Sequence, residues 1–353
     1  MKKLYKDIRF TKGILTLTAG LLIAGCSAED ELGNNSSAQQ LNMIPMVNDL
    51  QKSRANDEDA LHEKTLSKLD FKMFEPEFGK CCVNHQSSSP AENQAEVLGK
   101  DNWKKNLNLQ EDHSYNYYAV ANAQADLSKK TLEELQAATQ QDNDIWQPYP
   151  QAKDKKFLMS AKGQYIISKD PIQDIPVELV RAAAKIKLNL SSSVNGYNMT
   201  SVNWKFLNYN TNTSVFAGQT ATPNIMSNNA DNMVDKIEAN KCSVTTYSYS
   251  TTWTSQEDAP KIAVKVVFES KDNKNDTREK ELTIPVRDPK GEKKLERNYI
   301  YTVNADIKRL KDDINIDYDE ELGYLKWAIT KWTTGEDTEV DADKASYLVV
   351  YPT

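Results

Sequence analysis

The sequence contains few of the residues on which enzymes and phosphate sites depend. Its 353 residues include three histidines, four cysteines and twelve glycines. No motif surrounds any histidine, and no nucleophile elbow, phosphate loop or dinucleotide fingerprint is present. Backbone turns that cradle phosphate groups need glycine, so its scarcity also disfavours a nucleotide site. We therefore expect a protein that is not an enzyme, with no catalytic residue and no cofactor.

An excess of basic residues is also missing. The formal net charge is −7, whereas nucleic-acid-binding proteins usually carry a basic stripe or domain. We therefore predict no nucleic-acid partner. The acidic stretch from Asp312 to Glu321 lacks the spacing and glycine of a calcium loop, so we predict no metal site there. Six tryptophans and 16 tyrosines leave glycan binding open, although most of them fall at alternating strand positions that suit core packing.

The cysteines do not form a disulfide framework. Cys81 and Cys82 are adjacent, and bridging neighbours would distort the peptide between them. A bridge from either one to Cys242 stays possible. His85 follows closely, but the four spaced ligands of a zinc site are absent. The fourth cysteine, Cys26, lies in the N-terminal segment and has a separate interpretation.

The N-terminus has the layout of an export signal. Five basic residues precede an uncharged, mostly apolar run from Gly13 to Gly25, which has 13 residues. A membrane-spanning helix needs about 20. Cys26 directly follows Ile23-Ala24-Gly25, which resembles a bacterial lipobox, in which the thiol is diacylated and becomes the new N-terminus. A plain signal peptide with an incidental cysteine is the alternative.

The segment after Cys26 contains an isolated apolar stretch. Residues 27–40 are polar and suit a solvated tether, after which Leu41, Met43, Ile44, Met46 and Val47 form an apolar island. The polar segment that follows contains the Arg54–Ala55 bond, in the kind of exposed loop that trypsin-like proteases cut. Composition alone favours a plainer interpretation, in which the island is the first strand and Arg54 is an ordinary loop residue.

Alternating apolar and polar residues predict a mainly β protein. Leu69, Phe71 and Met73 share one face of a strand, and a second strand covers residues 115–121. Residues 79–112 look like loops, residues 128–138 like the one short helix, and residues 157–161 and 165–167 like short strands. The run from Arg181 to Leu190 alternates and predicts a strand, although its alanines also suit a helix.

The second part of the chain repeats the strand pattern. Further alternating segments are Val202–Phe206, Val264–Phe268, Leu282–Ile284, Tyr299–Ile307 and Leu325–Ile329. Turn-rich gaps separate these segments and no helical periodicity lies between them, which is typical of an antiparallel β-sandwich.

An apolar segment ends the sequence. After a polar spacer it contains Tyr347, Leu348, Val349, Val350 and Tyr351, so both faces of such a strand are apolar. An unpaired apolar strand at a terminus favours aggregation. It therefore either pairs within its own molecule, as composition favours, or adds to another molecule.

In this order the motifs resemble the fimbrillins of Bacteroidales, the subunits of type V pili. The resemblance covers most of the mature chain and rests on seven segments together with the lipobox. Residue 161 is Ala where these proteins commonly have Gly. The matching segments are Lys68–Phe74, Tyr117–Asn122, Thr131–Leu135, Phe157–Ser160, Val177–Ile186, Arg297–Val303 and Trp327–Trp332.

The resemblance implies two tandem transthyretin-like antiparallel β-sandwich domains, with one short helix in the first. The implied divisions are a signal peptide (1–25), a propeptide with tether and first strand (26–54), an N-terminal domain (55–176), a C-terminal domain (177–332) and a donor-strand extension (333–353).

The resemblance also implies how the protein is processed and assembled. A lipid on Cys26 would hold the precursor at the outer membrane, an arginine-specific trypsin-like protease would cut Arg54–Ala55, and the strand containing Leu41–Val47 would leave. Tyr347–Tyr351 of a second copy would then fill the groove, so the partners are copies of this chain with anchor and tip subunits in a surface fimbrium that supports adhesion. A tip or anchor subunit, or a glycan-binding surface lipoprotein, is the alternative.

Overall fold

Strands make up most of the folded chain, as its alternating pattern predicts. The computed structural model describes residues 39–47, 63–148, 156–287 and 291–310, and the backbone of strand 322–331. We refer to residues 39–181 as the N-terminal half and to residues 182–331 as the C-terminal half. Within these ranges, no helix is both long enough and apolar enough to cross a membrane.

The N-terminal half contains eight strands and two short helices. The strands are β1 (Gln40–Val47), β2 (Lys68–Phe74), β3 (Cys81–Ser88), β4 (Glu96–Lys100), β5 (Ser114–Ala121), β6 (Thr139–Gln141), β7 (Met159–Ile166) and β8 (Ile172–Arg181). The helices are α1 (Trp103–Asn106) and α2 (Leu132–Gln136).

The C-terminal half contains the remaining strands. They are β9 (Ala183–Ser192), β10 (Tyr197–Leu207), β11 (Tyr209–Asn210), β12 (Asn212–Ser214), β13 (Ile225–Met226), β14 (Asn232–Met233), β15 (Lys241–Tyr249), β16 (Thr251–Thr252), β17 (Lys261–Ser270), β18 (Thr277–Pro285), β19 (Lys294–Leu295), β20 (Tyr299–Ile307) and β21 (Leu322–Lys331).

A seven-stranded sheet forms the N-terminal half, in the order β3-β2-β5-β7-β8-β1-β4. Strand β8 joins two sections of this sheet, because Ile172–Leu179 pair with β1 and only Val180 and Arg181 pair with β7. Strands β3 and β4 are the two end strands of the sheet, yet His85 Nε2 on β3 lies 3.6 Å from Glu96 Oε2 on β4. The sheet therefore folds over on itself, and its apolar faces enclose a core.

Two larger sheets form the C-terminal half. One has the order β14-β10-β17-β18 and the other the order β13-β11-β15-β9-β20-β21. Alternate residues of β10, such as Val202, Trp204 and Phe206, are buried, as the sequence predicts. The predicted strands at residues 264–268, 282–284, 299–307 and 325–329 are also confirmed.

Pairing in these sheets departs from the predicted antiparallel pattern at two places. Strand β1 runs parallel to β8, and β20 runs parallel to β9. Strands joined by a tight hairpin must be antiparallel, but these partners are separated by more than 100 residues and have no such constraint. The direction of these strands depends on how distant segments pair in the sheet, which the alternation of residues within one strand does not reveal.

The predicted loop region 79–112 is wrong, since it contains β3, β4 and α1. Strand β3 lies at an edge of the sheet, and Val83 is its one fully buried residue. Strand β4 is half-exposed over four of its five residues. Because neither strand buries one complete face, the apolar alternation that marks a strand is missing from their sequences.

The predicted helix at residues 128–138 is real but shorter. Thr131 caps α2, and its hydroxyl accepts a 3.3 Å hydrogen bond from the Glu134 amide while the Glu134 carboxylate accepts one from the Thr131 amide. Ser128, the first residue of the predicted helix, lies before α2. Its carbonyl accepts a 2.8 Å hydrogen bond from Lys72 Nζ, so this backbone is fixed outside the helix. The second helix, α1, was not expected.

The segment from Arg181 to Leu190 is extended, so strand rather than helix is confirmed. It divides at Ala182, with Arg181 ending β8 and Ala183 beginning β9. The predicted domain boundary between residues 176 and 177 falls inside β8, whose strand continues to the junction of the two halves. Strand β15 was not anticipated, because its buried face includes the polar residues Thr246 and Ser248.

Candidate functional site

Strand β1 contains the predicted removable residues and occupies an interior position in its sheet. It lies between β8 and β4. Its eight residues pair in parallel with β8, from Gln40 opposite Ile172 to Val47 opposite Leu179. On the other side, residues 40–43 pair antiparallel with β4 around a bulge between Leu41 and Asn42. A terminal segment of the described chain therefore fills a slot between two strands that come later in the sequence.

Alternate residues of β1 point into the core. Leu41 and Met43 are completely buried and Val47 is nearly so. Their register partners on β8 include Ile175 and Leu179, which are also buried. Burial of one such side chain contributes about 1.5–3 kcal/mol, so these contacts hold the strand firmly. Ile44 and Met46, on the opposite face, are only half-buried.

One polar contact fixes β1 from its outer face. Asn42 Nδ2 donates a 2.7 Å hydrogen bond to Asp174 Oδ1 on β8. The Gln40 side-chain amide in turn donates to Asn42 Oδ1 at 2.5 Å. These bonds define the register, because a shift by one residue would turn Asn42 into the core.

The backbone of β1 bonds to different neighbours along its length. The Gln40 amide donates to the Pro171 carbonyl at the start of β8, while the Pro45 carbonyl accepts from the Asn93 amide on the opposite side. Strand β4 begins at Glu96 and pairs no further along β1 than Met43. Pro45 therefore lies past Glu96, the first residue of β4, so its missing N–H removes no hydrogen bond from the ladder between β1 and β4.

Strand β4 forms the outer wall of the β1 slot and depends on β1 for its pairing. Among the described strands, β1 is its only ladder partner. Helix α1 packs against β4. Trp103 is completely buried, and its Nε1 donates to the Pro171 carbonyl at 3.2 Å. Gly99 lies close to the start of this side chain, since a Cβ at Gly99 would be 2.8 Å from Trp103 Cβ.

The chain downstream of the predicted cleavage bond is fixed at Glu63. The Glu63 side chain is buried, and its Oε1 lies 2.5 Å from Lys185 Nζ and accepts a 2.7 Å hydrogen bond from Tyr247 OH. Arg181 Nε donates to the Glu63 carbonyl at 2.9 Å. Burial lowers the pKa of Arg181 to about 10, an effect that the negative charge of Glu63 partly offsets. We call Glu63, Arg181, Lys185 and Tyr247 the junction cluster.

Several predicted site residues lie outside the described ranges. These are the lipid site Cys26, the cleavage bond Arg54–Ala55, the donor segment Tyr347–Tyr351 and the acidic stretch from Asp312. The residues predicted to be removable, Leu41, Met43, Ile44, Met46 and Val47, all lie in β1. Sequence reasoning missed Asp174, Gly99 and Trp103, because only the folded sheet places them beside β1.

The remaining polar candidates do not converge on a site. Cys81 is exposed and Cys242 is buried, and both are free thiols together with Cys82. Burial raises the pKa of Cys242 to about 11. Within the described part of the chain, no group of three His, Cys, Asp or Glu side chains is close enough to hold a metal ion.

The fold has relatives among solved structures, although the sequence matches no protein-family model and no curated protein. A fimbrilin (FimA) from Porphyromonas gingivalis W83 superposes with a TM-score of 0.57 at 12% identity, covering 84% of this chain and 98% of that one. A proposed cell adhesion protein from Parabacteroides distasonis gives 0.56 at 15% identity, with coverage of 84% and 98%. The C-terminally truncated tip fimbrial protein Mfa3 from Porphyromonas gingivalis gives 0.51 at 15% identity, covering 84% and 100%. At these identities the similarity shows a shared fold.

Proposed function

We propose that this protein is a structural subunit of a surface fimbria and polymerises by strand replacement. One observation carries the proposal: β1 is buried between β8 and β4, yet it lies at the N-terminal end of the described chain. A single cut in residues 48–62 would break the covalent link between β1 and the rest of the fold without cutting any of the described elements. The shared fold with a fimbrilin and with a tip fimbrial protein supports this role.

The proposed cut is at Arg54–Ala55, by an arginine-specific trypsin-like protease. The junction cluster supports this location. Glu63 follows the bond by fewer than ten residues and is held by Lys185 and Tyr247 of the C-terminal half. The new N-terminus would therefore stay attached to the core, while everything before the cut could leave with β1.

The proposed replacement is the segment Tyr347–Tyr351 of a second copy. Removal of β1 would expose the buried apolar side chains Ile175, Val177 and Leu179 and leave backbone groups of β8 and β4 without hydrogen-bond partners from β1. An inserted apolar strand would replace both the apolar contacts and the backbone hydrogen bonds. Tyr347–Tyr351 is apolar on both faces, so it can fill the slot with either face inward.

The proposed anchor is temporary. A lipid on Cys26 would hold the precursor at the outer membrane, and stable attachment of this kind needs two acyl chains. Since Cys26 precedes Arg54, the cut would release the subunit from its lipid. The released copies would then join one another and the anchor and tip subunits of a surface-exposed fimbrium that supports adhesion.

Limited proteolysis of the purified precursor tests the proposal. An arginine-specific protease should produce a new N-terminus at Ala55, followed by loss of the β1 peptide and a ladder of oligomers on size-exclusion chromatography. The matched control is Arg54→Lys, which keeps the positive charge but should resist this protease and remain monomeric.

Deletion of residues 345–353 separates cleavage from assembly. The truncated protein should be cut at the same rate and stay monomeric. Oligomers that persist after this deletion would refute the strand-replacement mechanism. A cut protein that stays monomeric with residues 345–353 intact would refute the polymerising role and favour a tip, an anchor or a glycan-binding lipoprotein.

A further inference from the structure

The connection between β9 and β10 contains the one Asn-Gly pair of the sequence, Asn195-Gly196. Strand β9 ends at Ser192 and β10 begins at Tyr197, and the two strands belong to different sheets. Residues 193–196 therefore cross from one sheet to the other, with Asn195 and Gly196 in a turn. We call these four residues the sheet crossing.

An asparagine that precedes a glycine can react with its own backbone. The glycine nitrogen gives up its proton and attacks the side-chain amide carbon of the asparagine, so that a C–N bond forms and the amide nitrogen leaves as ammonia. Water then opens the five-membered succinimide at either carbonyl and gives aspartate or isoaspartate. Water is the one co-reactant, so the step needs no oxidant and no enzyme. Glycine favours this attack because it has no Cβ to block the approach.

The side chain of Asn195 is free to reach the Gly196 nitrogen. Asn195 is exposed, and its amide group makes no hydrogen bond to any other described residue. Gly196 has a φ of +77°, in the left-handed region, and a Cβ built there would meet no atom of the described chain within 4 Å. The space around the reacting bond is therefore open.

The attacking nitrogen is also free. The Gly196 carbonyl accepts a 2.8 Å hydrogen bond from the Lys271 amide, but the Gly196 N–H itself donates to no group of the described chain. A nitrogen whose N–H is bonded has to break that bond before it can attack, which costs free energy. At Gly196 this cost is absent, so the sheet crossing presents both reacting groups without competing partners.

Two other asparagines with left-handed backbones provide a comparison within the same molecule. At Asn240, the following Lys241 amide already donates to the Glu238 carbonyl at 2.9 Å. At Asn108, the following Leu109 amide is likewise bonded, at 2.7 Å. The residue after each of these asparagines also carries a side chain that hinders attack. Both sites therefore lack the two features that the sheet crossing combines.

We propose that Asn195 is a site of spontaneous deamidation, at which the folded protein converts asparagine to aspartate or isoaspartate. The change replaces a neutral amide by a carboxylate and makes the formal net charge of −7 more negative by one. Ser193 Oγ already donates to Asp306 Oδ2 at 2.9 Å, so the new carboxylate adds to the negative charge beside the sheet crossing. This modification is independent of strand replacement.

The isoaspartate product also lengthens the backbone by one methylene group. Both ends of the sheet crossing are fixed, because the Ser193 amide donates to the Ile307 carbonyl at 3.0 Å and the Gly196 carbonyl accepts from Lys271. Val194 between them is buried. The extra atom must therefore be accommodated at Asn195 and Gly196, which weakens the bond to Lys271. Hydrogen exchange of the Lys271 amide should accordingly be faster in the isoaspartate form.

Timed incubation of the purified full-length protein tests the proposal. In a mildly alkaline buffer, below the unfolding transition, anion-exchange chromatography should show a more acidic species that accumulates with time. Peptide mass spectrometry should place the change of amide to acid at Asn195 and find Asn108 and Asn240 unchanged. Hydroxylamine, which cleaves the chain at a succinimide, should cut the folded protein once, between residues 195 and 196.

The matched control is Asn195→Gln, which keeps the amide but requires a six-membered ring for the same attack. The substitution lies at an exposed position and should leave the fold intact, as circular dichroism can verify. The acidic species and the hydroxylamine cut should both disappear.

Two results would overturn the proposal. One is an acidic species that accumulates equally in the Asn195→Gln variant, because the reacting residue would then lie elsewhere. The other is deamidation of Asn195 in urea-unfolded protein but not in folded protein, because the sheet crossing would then suppress the attack rather than permit it.

Discussion

At the scale of single residues, two buried lysines show where the structure differs from the sequence pattern. Lys72 and Lys185 alternate with apolar residues in their strands, and sequence pattern places both on solvent-facing sides. The structure buries them instead. Lys72 donates to the carbonyls of Ser128 and Lys130, and Lys185 contacts Glu63. A buried ammonium group needs such partners, because leaving one unpaired costs several kcal/mol.

Glu63→Ala tests the junction cluster. The change leaves Lys185 buried without its carboxylate and removes the acceptor of Tyr247, so we expect the free energy of unfolding to fall by about 3–5 kcal/mol. Urea denaturation followed by tryptophan fluorescence measures the loss.

The matched control is Glu279→Ala, which breaks the exposed pair between Lys265 and Glu279. Exposed pairs contribute about 0–1 kcal/mol, so this variant should unfold close to the wild-type midpoint. Equal effects of the two substitutions would show that the junction cluster is not a buried anchor.

At the scale of single elements, β4 and α1 form a unit that depends on close packing. Trp103 comes four positions after Gly99, and the chain turns back so that the two touch. Leu107, just after α1, closes the other side of Gly99. Their tight fit explains how a strand with one ladder partner among the described strands keeps its position beside β1.

Gly99→Val should disturb this unit. The new Cβ would lie 2.8 Å from Trp103 Cβ and 3.1 Å from Leu107 Cδ1, and overpacking of this kind costs about 1–3 kcal/mol. Hydrogen exchange should show faster exchange of the amides in residues 96–107. Lys100→Val, at the exposed neighbouring position, is the control and should leave these amides protected.

Strand β15 shows what sequence pattern misses at this scale. Its buried face includes Thr246 and Ser248, and polar side chains do not signal burial. The structure satisfies them, since Thr246 Oγ1 donates to the Trp146 carbonyl at 2.7 Å and Ser248 Oγ donates to the Tyr249 carbonyl at 2.8 Å. An apolar periodicity search therefore passes over a strand that pairs along nine residues with β9.

At the scale of the whole molecule, the two halves share one connected cluster of buried apolar side chains. Strand β6 of the N-terminal half pairs with β12 of the C-terminal half. The rings of Phe157 and Tyr247 lie 4.7 Å apart across the junction, and those of Trp146 and Trp204 lie 6.1 Å apart.

We therefore expect the two halves to unfold together. Differential scanning calorimetry should show a single transition in which the calorimetric and van't Hoff enthalpies agree. Phe157→Ala, which removes one ring of the junction, should destabilise the protein by about 3–5 kcal/mol. Two separate transitions in the unmodified protein would show that the halves are independent, and the junction would then be only a contact between domains.

The sequence by itself determined many of the strands and the apolar character of residues 41–47. Alternation of apolar residues fixes which faces of β10, β17 and β20 are buried, because side chains of a strand alternate with a period of two. The apolar residues of β1 after a polar tether already marked it as unusual.

Only the tertiary structure decided where β1 lies. Strand order, the parallel pairing of β1 with β8, and the contacts of Asn42 with Asp174 and of Gly99 with Trp103 join residues that are not neighbours in local pattern. Periodicity describes one strand at a time, whereas a slot between two strands exists only once distant segments have paired.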